Sequence, residues 1–397
     1  MKVLNARSKR VALVLGARHN FWLDQRVLRT ARALAAGHYR ILAYTPAISI
    51  QDEHPMECVK AKYIGIPLDN NSLLRKLLLD YLLYNIPVAF NMRRSKVEIC
   101  HCNDFDTLPS GVLLKIFTFG KAKLIYDSHE DYPLFVEWGH GKLAARVIGI
   151  AEAVFTRYFV DRVIAVTETV KAKFEKRGIK SEAVFNCQEL LKYYTPSESQ
   201  IVKDKKDEFW VAYQGTLQKR RGYEQLVEAA EILINKWEIK GISFKIIGDS
   251  ASTALYRESI EELVINKGLE GHFLFTGFVS YGEMMQMLQR ADVGVILFQP
   301  TPNNIGGLPN KLFENLVAGI PTVASNFPEM ARIIIQEECG LLIDATQPQQ
   351  IADAIEYLYR NEGSKLEMGR NALRAAQEKY NFEKQAEKLL KVYEEIS

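Results

Sequence analysis

Cysteine is scarce: five residues in 397, at Cys58, Cys100, Cys102, Cys187 and Cys339. The number is odd and no C-x-x-C pair occurs. Cys100 and Cys102 flank His101, and strand alternation would set both thiols on one face. No second cysteine pair follows to complete a metal set, so they read as core strand cysteines in a reduced, cytosolic compartment. Long apolar runs are also missing. "VALVLGA" near the basic N-terminus is too short for a secretory leader, and nothing approaches the ~20 residues of a membrane span. An excess of one charge is absent too. Lys+Arg 51 against Asp+Glu 48 leaves +3, too little to argue for nucleic acid. The phosphate-binding fingerprints G-x-x-x-x-G-K-[ST] and G-x-G-x-x-G do not occur.

What the chain does contain is β/α alternation. "RVALVLG", "RILAYT", "AKLIYDS" and "RVIAVT" read as buried strands of a parallel sheet. Between them lie amphipathic segments such as "DQRVLRTARALAAG", with a glycine stop signal at Gly37. The pattern lapses in a polar, charged stretch after Pro196 and restarts with "FWVAYQG", "ISFKIIGD", "HFLFTGFV", "ADVGVILF" and "IPTVAS". This predicts a first Rossmann-like domain over 1–195, a linker at 196–207 and a second domain over 208–380. The amphipathic segment 381–397 is free to cross back onto the first. Ligands of open α/β sheets bind at the carboxyl ends of the strands. The segment 73–96 mixes leucines and aromatics with Arg75, Lys76, Arg93, Arg94 and Lys96. A core-packed helix and a surface helix touching anionic lipid both fit it.

Three clusters carry chemistry. In "NNIGGLPNKLFENLVAGIP", Pro309 suits the first turn of a helix that stops at Gly319. Gly306 and Gly307 precede it and allow close backbone approach. Free amides at the helix start favour an anion. Lys311 and Glu314 share one helix face, either as an ordinary surface pair or as site residues. In "YQGTLQKRRGYEQ" a strand ends at Gly215, and Lys219, Arg220 and Arg221 occupy the turn before Gly222 opens a helix. Three cations there suit a diphosphate or form a solvated loop. In "YDSHED", Asp127, His129 and Glu130 follow an apolar strand at its carboxyl end. A loop or capping role competes with a functional one. The "DFD" at Asp104–Asp106 looks like a D-x-D metal motif, with helix capping the favoured alternative.

Together these motifs resemble the retaining glycosyltransferases of family 4, with the GT-B fold: two doubly wound Rossmann-like domains facing across a cleft. "DQRVLRTARALAAGH", "HCNDFDTLPSG", "KLIYDSHE", "GTLQKRRG", "FLFTGFVSYGEMMQML", "ADVGVILF" and "LPNKLFENLVAGIPTVASNFPE" stand in that order. The resemblance implies a ribose contact for Glu314, a diphosphate contact for Arg221 and a base, commonly uracil, at the main chain of Phe278 and Val279. It implies a place near the transferred sugar and acceptor for His129, and an acceptor-side loop holding Asp24 and Arg26. Gly215, Thr216, Gly306, Gly307, Leu308 and Lys311 complete the expected donor site, and Asp104 and Glu130 the acceptor side. Two positions depart from the pattern. Gly306 stands where the family often has a donor-sugar glutamate. Thr216 stands where it has an arginine, which Arg220 or Lys219 would replace.

The expectation is a metal-independent transferase that needs no cofactor beyond its UDP-sugar donor. It would move a glucose- or GlcNAc-type hexose to a saccharide or lipid-linked hydroxyl, in the cytoplasm or peripherally at the inner membrane face, with no nucleic-acid partner. A UDP-GlcNAc 2-epimerase-like enzyme and a non-catalytic donor-binding subunit are the alternatives.

Overall fold

The computed structural model describes residues 9–14, 24–46, 59–64, 81–190, 208–249 and 254–396. The expected linker and residues 73–80 lie outside them. The chain divides into two compact units, Met1–Asn186 with Gln385–Ser397 and Cys187–Lys384. The division falls ahead of the linker position read from the sequence.

The first unit holds a seven-stranded sheet in the order β3-β2-β1-β4-β5-β6-β7. The strands are β1 Arg10–Val14, β2 Arg40–Pro46, β3 Val59–Ile64, β4 Ile99–Asn103, β5 Lys123–Ser128, β6 Arg162–Ala165 and β7 Ser181–Ala183. Every pair is parallel. The helices are α1 Gln25–Ala36, α2 Tyr81–Arg94, α3 Leu108–Phe117, α4 Tyr132–Tyr158 and α5 Glu168–Glu175. Central β1 is apolar in its buried positions, and β4 and β5 each carry buried apolar residues ahead of the polar ones at their carboxyl ends, which makes them legible as strands. Edge strand β3, "VKAKYI", alternates lysine with apolar residues because one face is wet, and neither it nor short β7 was read as a strand.

One face of this sheet is covered by α2, α3 and α4. Val88 and Met92 of α2, and Leu108 and Val112 of α3, join Cys100, Cys102 and Tyr126 in one buried cluster. Ile148 and Phe155 of α4 pack against the same cluster. Cys100 and Cys102 Sγ lie 3.6 Å apart in it, as core cysteines. Helix α4 is broken at Gly141, whose φ of 84° a residue with a side chain rarely adopts.

The second unit holds a six-stranded parallel sheet in the order β10-β9-β8-β11-β12-β13. Its strands are β8 Phe209–Gln214, β9 Ile242–Ile247, β10 Phe273–Phe275, β11 Val293–Ile296, β12 Thr322–Ser325 and β13 Gly340–Ile343. The helices used below are α6 Tyr223–Glu231, α7 Ala254–Asn266, α8 Tyr281–Arg290, α9 Pro302–Gly306 and α10 Asn310–Ala318. They are followed by α11 Pro328–Glu337, α12 Pro348–Arg360, α13 Glu362–Glu378 and α14 Phe382–Ile396. Edge strand β13 is the one this half hid, being short and only partly buried.

Helix α14 starts in the second unit, where the Phe382 amide donates to Gln188 O at 2.9 Å, and Gln385 onward belongs to the first. Gly37 serves this helix rather than the conformation expected of a stop. Its φ is −77°, and His38 next to it takes the positive φ of 65°. A Cβ on Gly37 would meet Leu390 of α14 at 2.5 Å.

Candidate functional site

In the second unit the loops after β8, β9, β10 and β11 leave the same carboxyl edge, because all these strands are parallel. That edge brings the two expected donor-site elements together. Gly215 follows β8 with φ 107°, and a Cβ there would sit 1.9 Å from Lys311 Nζ of α10. The positive φ favours glycine at this turn, and the missing Cβ leaves room for that ammonium. Lys311 Nζ donates to Gln214 O. The side-chain amide of Gln214 donates to Glu314 Oε2 at 3.2 Å, Asn315 Oδ1 at 3.0 Å and Lys311 O at 3.3 Å. Gln214, fully buried, therefore fixes α10 against the end of β8 and holds the Glu314 carboxylate in place. Nothing in the sequence motifs marked it.

Glu314 is buried, so the surface-pair reading of Lys311 and Glu314 does not hold. Pro309 is the residue before the helix, not within its first turn, with extended backbone at φ −75°, ψ 142°. Gly319 ends α10 in left-handed backbone at φ 65°. Burial pulls the Lys311 ammonium down to about 8; Glu314 opposes this and nearby Arg221 adds to it. An ammonium that proton-labile, beside an arginine, gains from a bound anion.

The three cations of the turn separate. Arg221 is half-buried, and its guanidinium lies 3.9 Å over the Phe298 ring. Tyr213 Oη donates to its carbonyl. Lys219 and Arg220 are exposed, as is Thr216. Arg220 has φ 67°, and its carbonyl accepts the Gln299 amide at 3.0 Å and Asn304 Nδ2 at 3.4 Å. Its backbone thereby ties the turn to α9, while its side chain leaves toward solvent.

Phe278, exposed, and Val279, half-buried, lie beyond β10. The bridge Gly248↔Gly277 joins that loop to the one after β9. Gly306 ends α9, Gly307 and Leu308 lead on to α10, all three are half-buried, and a Cβ on Gly306 would meet nothing within 4 Å. The position lacks its glutamate without being crowded.

The first unit gathers a second cluster at the carboxyl ends of β4 and β5. Asp127, 2% exposed, is its centre. Arg26 Nη2 lies 2.6 Å from Asp127 Oδ1. His101 Nε2 and His129 Nε2 both lie 3.2 Å from Oδ2, the latter at pairing distance without hydrogen-bond alignment. Burial alone would raise the Asp127 carboxyl, but Arg26, His129 and His101 outweigh it and hold it well below the usual carboxylate range. Burial and Arg26 push the His129 imidazole down, yet Asp104 and Asp127 leave it raised overall.

Asp104 grips His129 twice, accepting its amide at 3.0 Å on Oδ1 and lying 3.4 Å from Nδ1 through Oδ2. It does so from a strained backbone at φ 65°, ψ 169°. Its side chain caps no helix, which corrects the capping expectation. Neighbouring Asp106 is pushed up to about 7, by burial first and Asp104 second.

Asp24 is the N-cap of α1, accepting from the amides of Arg26 and Val27. Arg26 accordingly sits in the first turn of that helix and not in a loop. Glu130 is exposed, with its carbonyl accepting from Ser128 Oγ at 2.8 Å. His101, fully buried, passes the cluster to the C-terminal helix through a 2.7 Å hydrogen bond between Nδ1 and Tyr393 Oη. Alternation against Cys100 and Cys102 could have flagged His101 on the opposite strand face; no local signal marks Tyr393. No group of three or more His, Cys, Asp or Glu suited to a metal occurs among the described residues.

Residues 195–375 match the family model for glycosyl transferases group 1. A D-inositol 3-phosphate glycosyltransferase of Corynebacterium urealyticum is 27% identical over 187 residues, 47% of this chain and 43% of that protein. An alpha-D-kanosaminyltransferase of Streptomyces kanamyceticus is 25% identical over 186 residues, 47% of this chain and 45% of that one. The chain spans about half the length of the curated relatives it matches. Anabaena HepE in complex with UDP superposes with a TM-score of 0.73 at 15% identity, covering 98% of this chain and 100% of that one. Sucrose-phosphate synthase from Thermosynechococcus elongatus gives 0.76 at 17%, covering 98% and 99%. The fold is GT-B.

Proposed function

We propose that this GT-B protein, whose residues 195–375 match the family model for glycosyl transferases group 1, transfers a hexose from a UDP-sugar to a hydroxyl acceptor with retention at the anomeric carbon. The observation that carries the reading is the meeting of Gly215, Arg221, Lys311 and Glu314 at one sheet edge of the second unit. Lys311, Arg221 and the amides opening α10 suit the two phosphates, since fixed cations and dipoles stabilise charge on a leaving diphosphate. Glu314, held by Gln214, suits the ribose diol, and the main chain at Phe278 and Val279 the base. HepE and a trehalose-6-phosphate enzyme of E. coli were solved with UDP and UDP-2-fluoro glucose respectively, which supports a UDP-linked donor.

In this reading the acceptor hydroxyl attacks from the side the diphosphate leaves. The departing phosphate oxygen takes its proton, so no carboxylate nucleophile is needed. The raised imidazole of His129, oriented by Asp104 and Asp127, serves the transferred sugar and acceptor, with Arg26 beside it. No metal takes part: the cationic side chains fill that role. The acceptor belongs to polysaccharide or lipid-linked glycan assembly.

Calorimetric titration tests the donor site. UDP should bind the wild-type chain, and Glu314→Gln should weaken it about tenfold to 150-fold, the worth of one charged hydrogen-bonding group. Equal affinity would remove Glu314 from the site. Transfer should survive EDTA; a loss that Mg²⁺ restores would overturn metal independence.

A further inference from the structure

The helical layer over the first sheet has an outer side that the donor and acceptor clusters do not use. We propose that this side docks on an anionic lipid bilayer, with the segment of α4 after Gly141 lying along the membrane surface.

The arrangement begins with spacing. Leu143, Val147, Ile150, Val154 and Tyr158 recur at intervals of three and four, so on a 3.6-residue helix they fall within an arc of roughly 80°. All five are exposed, Leu143 at 79% and Tyr158 at 70%. Along one border of this stripe stand Lys142, Arg146 and Arg157, also exposed. The opposite side of the helix carries Glu152, which is 0% exposed and pairs with Lys173 at 2.8 Å and Arg177 at 3.1 Å. An apolar stripe edged by cations is the pattern of an interfacial helix.

Neighbouring helices extend the surface. Because α2, α3 and α4 turn their inner residues to one buried cluster, their outer residues share one side of the unit. On α2 these include Ile86 and Phe90, followed by exposed Arg93 and Arg94; beyond them lie Ile116 and, at 90% exposure, Phe119 after α3. Within 81–94, 108–122 and 142–158 the sole acidic residue is the buried Glu152.

Over those three stretches, nine exposed large apolar side chains and no exposed carboxylate among the described residues make a surface complementary to anionic headgroups over acyl chains. It has no feature to pair the cations of a second copy of itself. No helix among the described residues is long and apolar enough to cross a membrane, so the contact is peripheral.

The test is sedimentation of the full chain with vesicles of phosphatidylcholine alone or mixed with phosphatidylglycerol. Binding should require phosphatidylglycerol and fall in high salt. The pair Arg146→Gln and Arg157→Gln should lower partitioning roughly 25-fold, about fivefold per cation. The pair Leu143→Asn and Ile150→Asn should lower it at least tenfold. These residues are exposed, so thermal melting should stay as in wild type, and UDP titration should be unaltered. Failure here and failure of the donor site are thus distinguishable. Partitioning that is absent, equal on neutral vesicles or indifferent to both pairs would overturn the proposal. So would a concentration-dependent dimer in sedimentation velocity that the asparagine pair dissolves while lipid binding persists.

Discussion

Replacing Lys311 with methionine is expected to lower kcat/KM for sugar transfer about 10²- to 10³-fold, the usual loss when one fixed group opposite a developing negative charge is removed. The argument rests on where the ammonium is held. It reaches back from α10 to the end of β8, bonds to Gln214 O and occupies the space a Cβ at Gly215 would take. A lysine with only a structural task would gain nothing from sitting beside Arg221, which lowers its proton affinity. The folded value of about 8 lies below the 10.5 of an unfolded lysine, so between these the unfolded chain binds more protons. Wild-type stability should therefore rise with pH through that window and be lowest, on this group's account, below it.

Activity should run the other way. In the free enzyme the charge is lost as pH passes about 8, so kcat/KM should fall up to tenfold per unit above it. Lys311→Arg, whose charge persists, should lack that alkaline limb even if its geometry costs rate. Thermal unfolding at neutral pH should show Lys311→Met at least as stable as wild type. A variant that is inactive because it is unfolded, or a pH profile unchanged by arginine, would remove Lys311 from the chemistry.

The central strands and the donor edge were legible because those strands carry runs of buried apolar residues and because glycine, proline and cations punctuate the turns that follow them. What escaped is non-local. Gln214 looks like an ordinary residue at a strand end until α10 arrives with Glu314 and Asn315. The Lys219-Arg220-Arg221 run offers three equal candidates in sequence, and only the backbone of the turn sends one inward over Phe298. Asp104 reads as a cap from its neighbours, yet its φ of 65° turns it toward His129. His101 and Tyr393 are 292 residues apart and meet through a helix whose local pattern says only that it is amphipathic. The lipid-facing side illustrates the same limit. Sequence drew attention to 73–96 for its mixed charge, whereas the continuous stripe on α4 emerges only when burial separates Glu152 from Leu143 and its neighbours.

Asp127→Asn is expected to cost about 3–5 kcal/mol in the unfolding free energy of the first unit, because removing one member of a buried ionic set leaves the others uncompensated. Among the described residues Asp127 is the carboxylate shared by Arg26, His101 and His129. Its own folded value is depressed, so its contribution is complete above the unfolded carboxylate value of ~3.9 and is lost only as pH falls through the folded one. The His129 value is raised, with Asp104 and Asp127 overcoming burial and Arg26. Its contribution is therefore complete below the unfolded histidine value of ~6.5 and disappears as pH rises through the folded one. Denaturant titrations of wild type and variant at about pH 5 and pH 9 should consequently differ by more at the acid end. As pH rises through the folded His129 value that contribution is lost, and the remaining loss belongs to Arg26 and His101. An equal difference at both pH values would mean that His129 draws nothing from Asp127, leaving Asp104 as its partner. A difference below 1 kcal/mol at both would show that the Asp127 network is not what holds the carboxyl ends of β4 and β5 together.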